Sequence, residues 1–116
     1  MSQVISLRKG EHSFLGTRFL GRELRLQLER LLELPGDIRI QFDQIGVTQS
    51  FLDEFVGVLV VGRGQPLIDR LIFVGCSRDA QALLELVIGA RLEDHERLSA
   101  KARSTSNHRP PEPIHA

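Results

Sequence analysis

The chain alternates three times between a short strand pattern and a longer helical pattern. The strand patterns span residues 3–8, 37–42 and 71–74, and each is followed by apolar residues at helical spacing. Strand, helix and strand in this order form right-handed crossovers between parallel strands. The sequence therefore predicts the α/β class, with a small mixed or parallel sheet of about three to five strands and three main helices packed on it.

The first helix has the clearest pattern. Its predicted N-cap is Thr17, and Pro35 with Gly36 ends it. Gly21 lies inside this helix, where it costs about 0.5–1 kcal/mol relative to alanine, so we expect another backbone to approach it closely. The apolar stripe that should face the core comprises Phe19, Leu20, Leu24, Leu28, Leu31 and Leu32.

The second helix is predicted to begin near Thr48 or Ser50. Its apolar surface is wide enough to pack against both the sheet and another element. After it, residues 62–66 predict a turn-rich loop, and the unbroken apolar run at 71–74 is typical of a central strand covered on both faces. The apolar residues of the second helix are Phe51, Leu52, Phe55, Val56, Val58, Leu59 and Val60.

The third helix is predicted to follow its N-cap Ser77 and to extend to about Ala102. Residues 103–116 hold three of the five prolines and little apolar surface, which predicts a disordered C-terminal tail. One domain, residues 1–102, is therefore expected. The third helix should bury Leu83, Leu86, Val87 and Ala90.

Composition limits the classes of function. Fifteen basic residues balance fifteen acidic ones, and the chain has neither Trp nor Tyr, so no nucleic-acid partner is expected. Cys76 is the single cysteine, and no cluster of His and Cys has zinc spacing. No apolar run approaches the ~20 residues of a membrane span. We predict a cytoplasmic protein with no cofactor, no metal and no membrane association.

The segment from Phe42 to Gly57 carries the side chains most suggestive of function. Asp53 and Glu54 are adjacent carboxylates, and paired carboxylates can share acid-base work or hold a hard cation. No third ligand is evident, and a first helical turn favours acidic residues in any case, so a solvated or partner-facing pair is the preferred interpretation. Asp43 is interpreted as a turn residue, because the acidic cluster and late lysine of a receiver domain are missing.

The residues 47–57, VTQSFLDEFVG, resemble the STAS-like domain family of bacteria, whose fold relatives are the anti-sigma factor antagonists. The resemblance covers roughly residues 3–92. It includes a first-helix signature and a third strand with its turn, at Gly16, Thr17, Arg18, Gly21, Arg25 and Phe73–Ser77.

The resemblance implies a STAS fold that acts in signalling by docking to proteins and not by turnover. It also implies a partner such as a histidine-kinase-like ATPase or another serine kinase. In the relatives, a serine at the start of the second helix accepts a phosphoryl group. The most natural register puts Gln49 at that position, which leaves Ser50 and Thr48 as the phosphoacceptor candidates. The predicted partner-binding residues are Asp43, Gln49, Ser50, Asp53, Glu54, Arg18 and Arg25.

Two alternatives remain open from the sequence. One is a small hydrolase or metal-dependent enzyme that uses Asp53, Glu54 and Ser50, and the other is a structural subunit or homodimer built on the second helix. An enzyme predicts a concave pocket in which carboxylates converge with a base. A docking module predicts a flat exposed patch around residues 49–54. We expect a protein-interaction module without enzymatic activity.

Overall fold

The computed structural model describes residues 3–8 and 14–107, with side chains as far as residue 102. In chain order the elements are β1 (Gln3–Ser6), β2 (Phe14–Leu15), α1 (Arg18–Leu32), β3 (Ile38–Gln41), β4 (Gly46–Val47), α2 (Gln49–Leu52), a π-helical segment (Asp53–Gly57), α3 (Val58–Arg63), α4 (Gln65–Arg70), β5 (Leu71–Val74) and α5 (Arg78–Asn107).

The strands form two parallel sheets. β1, β3 and β5 pair in the order β1-β3-β5, and the short strands β2 and β4 pair with each other. Helices pack on the sheet face that carries Ile5, Ile38 and Ile40, all buried, whereas Val4 on the opposite face is exposed. The predicted α/β class is confirmed, and every strand pair among the described residues is parallel.

The prediction that residues 71–74 form the central strand is wrong. β5 lies at an edge of the three-stranded sheet, and three of its four residues are only half-buried. The central strand is β3, in which buried Ile38 and Ile40 alternate with half-buried Arg39 and Gln41. Because helices cover one face of the sheet, the apolar run of β5 reflects strand propensity as much as burial.

α2, the π-helical segment and α3 form one continuous helical stretch. The residues at both junctions keep right-handed helical dihedral angles. Buried apolar side chains recur at every fourth position, at Phe51, Phe55 and Leu59. The stretch packs between α1 and α5 as well as against the common core, which confirms that its wide apolar surface has two partners.

α1 begins at its predicted cap, and Gly21 packs as predicted. The backbone N–H of Leu20 donates to Thr17 Oγ1 at 3.1 Å, so Thr17 is the N-cap. A Cβ added at Gly21 would lie 2.7 Å from the carbonyl oxygen of Phe51 and 2.9 Å from Glu54 Cβ. The expected close approach of another backbone at Gly21 is therefore confirmed.

The prediction of a turn-rich loop at residues 62–66 is wrong, because α3 extends to Arg63 and α4 begins at Gln65. Gly64, with a φ of 74°, separates α3 from α4, and Pro66 lies in the first turn of α4, where a proline costs no hydrogen bond. The side chain of Arg70, the last residue of α4, then caps the C-terminal end of α1 and the turn after it. Its three acceptors are the carbonyl oxygens of Leu32, Leu34 and Gly36.

α5 is longer than the sequence predicts. Ser77 is its N-cap as expected, since Ala80 N donates to Ser77 Oγ at 3.1 Å. The helix continues to Asn107, past the predicted end at Ala102, and so includes residues 103–107 of the predicted tail. Residues 108–116 lie outside the described residues.

Several residues assigned to apolar helix stripes are exposed. The buried stripe of α5 runs through Ala80, Leu84 and Val87, and successive helical residues are rotated by about 100°, so neighbours of this stripe turn outward. The exposed residues are Phe19, Val58, Leu86 and Ala90.

The space around two helical glycines predicts whether alanine at each position lowers or raises the free energy of unfolding. Gly21→Ala should lower the free energy of unfolding by roughly 1–3 kcal/mol, because the new methyl group meets the backbone of the second helix. Gly89→Ala in α5 should raise it by about 0.5–1 kcal/mol, since nothing lies within 4 Å of an added Cβ. Urea denaturation measures both, and equal effects of the two substitutions would contradict the close approach.

Candidate functional site

The side chain of Thr48 fixes the start of the second helix. Its hydroxyl accepts from the N–H of Phe51 at 3.0 Å, which makes Thr48 the N-cap of α2. The same hydroxyl donates to the carbonyl oxygen of Gly16 at 3.0 Å. Both hydrogen-bonding roles of this oxygen are thus used to join the start of the second helix to the segment before α1.

Asp53, the first residue of the π-helical segment, forms a two-point ion pair with Arg91 of α5. Arg91 Nε lies 2.6 Å from Asp53 Oδ1, and Arg91 Nη2 lies 2.7 Å from Oδ2. A Cβ at Gly57 would lie 2.6 Å from Asp53 Oδ1 and 3.2 Å from Arg91 Cγ. The absence of a side chain at Gly57 therefore leaves space for this pair.

Glu54 is bound by two arginines of α1. Its Oε1 accepts from Arg18 Nη1 at 3.1 Å, and its Oε2 from Arg25 Nη1 at 3.0 Å. Arg25 Nη1 also donates to the backbone carbonyl oxygen of Glu54 at 2.7 Å. Arg18 Nη1 lies 3.5 Å from Asp53 Oδ2 as well, so these side chains link α1, the π-helical segment and α5.

Of the two interpretations of Asp53 and Glu54, as a solvated or a partner-facing pair, the solvated one is therefore wrong. Their side chains are only 15% and 16% exposed, because both carboxylates face arginines inside the fold. The hydrogen bond from Arg91 lowers the pKa of Asp53, and that from Arg25 lowers the pKa of Glu54, in each case against the opposing effect of burial. Both carboxylates are ionised at neutral pH.

A groove of about 420 Å³ lies between the start of the second helix and α5. Ser50 is half-buried in its wall, and its hydroxyl has no hydrogen-bond partner among the described residues. Gln49 and Leu86 are exposed beside it. The residues that line this depression, here called the Ser50 groove, are Arg18, Gln49, Ser50, Asp53, Leu86, Val87, Ala90 and Arg91.

Asp43 lines a separate depression, in a tight turn after β3. Ile45 N donates to Phe42 O at 2.9 Å, and Asp43 and Gln44 have φ angles of 52° and 59°, a conformation that costs non-glycine residues about 1–2 kcal/mol each. Arg8 stabilises the turn, since its Nε lies 2.8 Å from Asp43 Oδ2 and its Nη2 donates to Asp43 O at 3.0 Å. The interpretation of Asp43 as a turn residue is confirmed.

The described residues offer few other chemical groups. Cys76 is a half-buried free thiol whose pKa is raised by burial, which makes it a poor nucleophile. No group of three or more metal-ligating side chains occurs within residues 3–8 and 14–107. Over the same ranges, no helix is both long enough and apolar enough to cross a membrane.

Comparison with known proteins identifies the family. The model of a family described as a STAS-like domain of unknown function matches residues 21–81, more than half of the chain. The chain belongs to this STAS-like family. The match contains Ser50, Asp53 and Glu54, whereas Arg18 and Arg91 lie outside it. Searches of curated proteins and of solved structures give no match to this STAS-like domain.

Sequence reasoning missed Arg91, because the charged end of the third helix looks like an ordinary solvated face. The available signal was Gly57, which lies four residues after Asp53 and so on the same helical face. A glycine at that position indicates that something bulky must approach the carboxylate. The partner itself, 38 residues away, cannot be read from local spacing.

The Asp53–Arg91 pair predicts how the stability of the STAS-like domain depends on pH. Arg91→Gln should lower the free energy of unfolding by roughly 1–3 kcal/mol at neutral pH, because Asp53 loses both charge-assisted hydrogen bonds. Since the pKa of Asp53 is lowered by folding, its contribution is complete above the ordinary carboxyl pKa of about 3.9 and is lost as the pH falls through the lowered value.

Denaturation at several pH values between neutrality and about 2 measures this effect. The wild-type protein should lose more stability on acidification than Arg91→Gln. Arg22→Gln is the matched control, because Arg22 is exposed on α1, and it should change stability by less than about 0.5 kcal/mol. Parallel pH profiles for Arg91→Gln and the wild type would contradict the role given to the pair.

Proposed function

We propose that this STAS-like domain is a protein-interaction and signalling module without enzymatic activity, and that it docks its partner at the Ser50 groove. The observation that carries the proposal is a local contrast. The charged groups beneath the groove are engaged with one another, whereas Gln49, Leu86 and Ala90 around it are exposed. Leu86 is 55% exposed, and an exposed apolar side chain with polar groups around it is typical of a contact surface.

Ser50 is the better phosphoacceptor candidate of the two. Modification of Thr48 would break both the cap of α2 and the bond to Gly16 O, and so would destabilise the junction. The Ser50 hydroxyl has no such bonds among the described residues, and it borders the groove. Its position in the first turn also puts an added phosphate near free backbone N–H groups.

The proposed partner is a histidine-kinase-like ATPase that phosphorylates protein serine, as the resemblance to STAS domains implies. In the reaction, Ser50 Oγ bonds to the γ-phosphorus of a nucleoside triphosphate held by the partner. The bond from that phosphorus to the bridging oxygen breaks and nucleoside diphosphate leaves. A base of the partner takes the hydroxyl proton. The STAS-like domain is then the substrate and not the catalyst.

The two alternatives have less support. A general acid at neutral pH needs a raised pKa, whereas the pKa values of Asp53 and Glu54 are lowered and both groups are held by arginines. The Ser50 groove includes no histidine, lysine or cysteine among its described lining residues that could activate the serine. A homodimer built on the second helix would need an exposed apolar face there, but of its apolar residues only Val58 is exposed.

A pair of leucines on α5 tests the docking surface. Leu86 and Leu98 are each 55% exposed, but only Leu86 lines the Ser50 groove. Leu86→Glu should weaken binding to the ATPase by about tenfold or more, since it puts a charge into the apolar contact. Leu98→Glu should leave the affinity unchanged. Calorimetric titration with a histidine-kinase-like ATPase from the same host measures both, and equal affinities of the two variants would overturn the proposed surface.

The phosphoacceptor prediction is tested separately. Incubation of the domain with that ATPase and ATP should add one phosphoryl group, which peptide mapping by mass spectrometry should locate at Ser50. Ser50→Ala should abolish the modification, and Ser99→Ala, a serine on α5 outside the groove, should not. A phosphoryl group that persists in Ser50→Ala would exclude Ser50 as the acceptor.

A further inference from the structure

We infer that a phosphate on Ser50 takes Arg91 away from Asp53 and thereby uncouples the π-helical segment from α5. The inference rests on the proposed function in one respect, that Ser50 is the residue modified. It goes beyond that function in naming the ion pair that responds. The observation that supports it is that Ser50, Asp53 and Arg91 line the same groove.

The first step is the position of the added charge. Ser50 and Asp53 are three residues apart on a continuous helical stretch, so their side chains lie on the same face, with Cβ atoms roughly 5–6 Å apart. A phosphoserine carries about −1.5 to −2 charges at neutral pH. It therefore repels the Asp53 carboxylate and attracts any arginine within reach of both.

The second step is which cation responds. The described lining of the Ser50 groove contains two cations, Arg18 and Arg91, and both already face Asp53. Each has a second carboxylate, Glu54 for Arg18 and Asp94 for Arg91, but Arg18 contacts Asp53 and Glu54 through Nη1 alone. Arg25 faces Glu54 and is not part of the groove lining. Arg91 presents the two-nitrogen edge of its guanidinium, Nε and Nη2, to Asp53, and the same edge can donate to two oxygens of a phosphate, which carries more negative charge than a carboxylate.

The third step is the consequence for the fold. The Asp53–Arg91 pair joins the π-helical segment to α5 at the level of Gly57. Once Arg91 turns to the phosphate, Asp53 keeps only the longer contact to Arg18, at 3.5 Å. The contact between the π-helical segment and the middle of α5 loosens, and the exposed Leu86 and Ala90 belong to that part of α5. Phosphorylation thus alters the docking surface through α5 as well as by its own charge.

The experiment installs phosphoserine directly at position 50 by genetic-code expansion, so that neither a kinase nor a partner is needed. Carbon-detected NMR should show the pKa of Asp53 rising towards its ordinary value, and the Arg91 Nε–H resonance should shift. Hydrogen exchange of backbone amides in the middle of α5 should accelerate roughly tenfold, the change that a lost coupling of about 1.4 kcal/mol produces. Phosphoserine at position 99, where the hydroxyl lies 3.4 Å from His95 Nε2 and outside the Ser50 groove, is the control for added charge and should leave the pKa of Asp53 unchanged.

Asp53→Asn provides the second arm. In this variant the charge pair is already broken, so phosphoserine at position 50 should add little to the exchange rates of α5. The proposed switch of Arg91 from Asp53 to the phosphate would be overturned if the phosphorylated domain kept the Asp53 pKa and the amide exchange rates of the unmodified domain. Equal acceleration of amide exchange with and without Asp53→Asn would overturn it as well. If the ATPase did not bind, the proposed function would be contradicted. The measurements described here would still hold, because they use the isolated chain.

Discussion

The close approach of α1 to the second helix at Gly21 is the constraint on which the candidate site depends. The space that a Cβ would take at this position is filled by the backbone of Phe51 and by Glu54 Cβ. Arg18 and Arg25, one turn to either side of Gly21, are thereby brought to the same carboxylate. A larger residue would separate the helices, and Glu54 would then be buried without its partners. The small residue at position 21 and the ion pairs of Glu54 therefore depend on each other.

The π-helical segment fixes the other half of the arrangement. In an α-helix of 3.6 residues per turn, apolar residues spaced by four drift steadily around the axis. The wider turn at Asp53–Gly57 counteracts that drift, so Phe51, Phe55 and Leu59 all stay buried. The same turn directs Asp53 towards α5 and Glu54 towards α1. One irregularity in the backbone therefore serves both the core and the ion pairs of the two carboxylates.

What the sequence predicts well is local. The caps Thr17 and Ser77 and the close approach at Gly21 follow from the chemistry of single positions, and the structure confirms them. The edge position of β5 and the partner of Asp53 are non-local, because each depends on how distant segments meet. The apolar run of β5 was misleading, since Ile and Val favour strands whether or not both faces are covered. The groove itself is formed by residues far apart in the chain and leaves no local pattern.

The balance of charge around Asp53 and Glu54 supports the proposed docking role over acid-base chemistry. Asp53 and Glu54 are neutralised by arginines from two helices, so neither carboxylate is left poised to exchange protons near neutral pH. Such a network of ion pairs is also sensitive to one added charge, because its members can exchange partners without exposing the core. Ser50 occupies the position in the groove wall where such a charge meets the pair between Asp53 and Arg91. If Ser50 is modified as proposed, the network that removes acid-base chemistry from this segment is also the network that responds to the added phosphate.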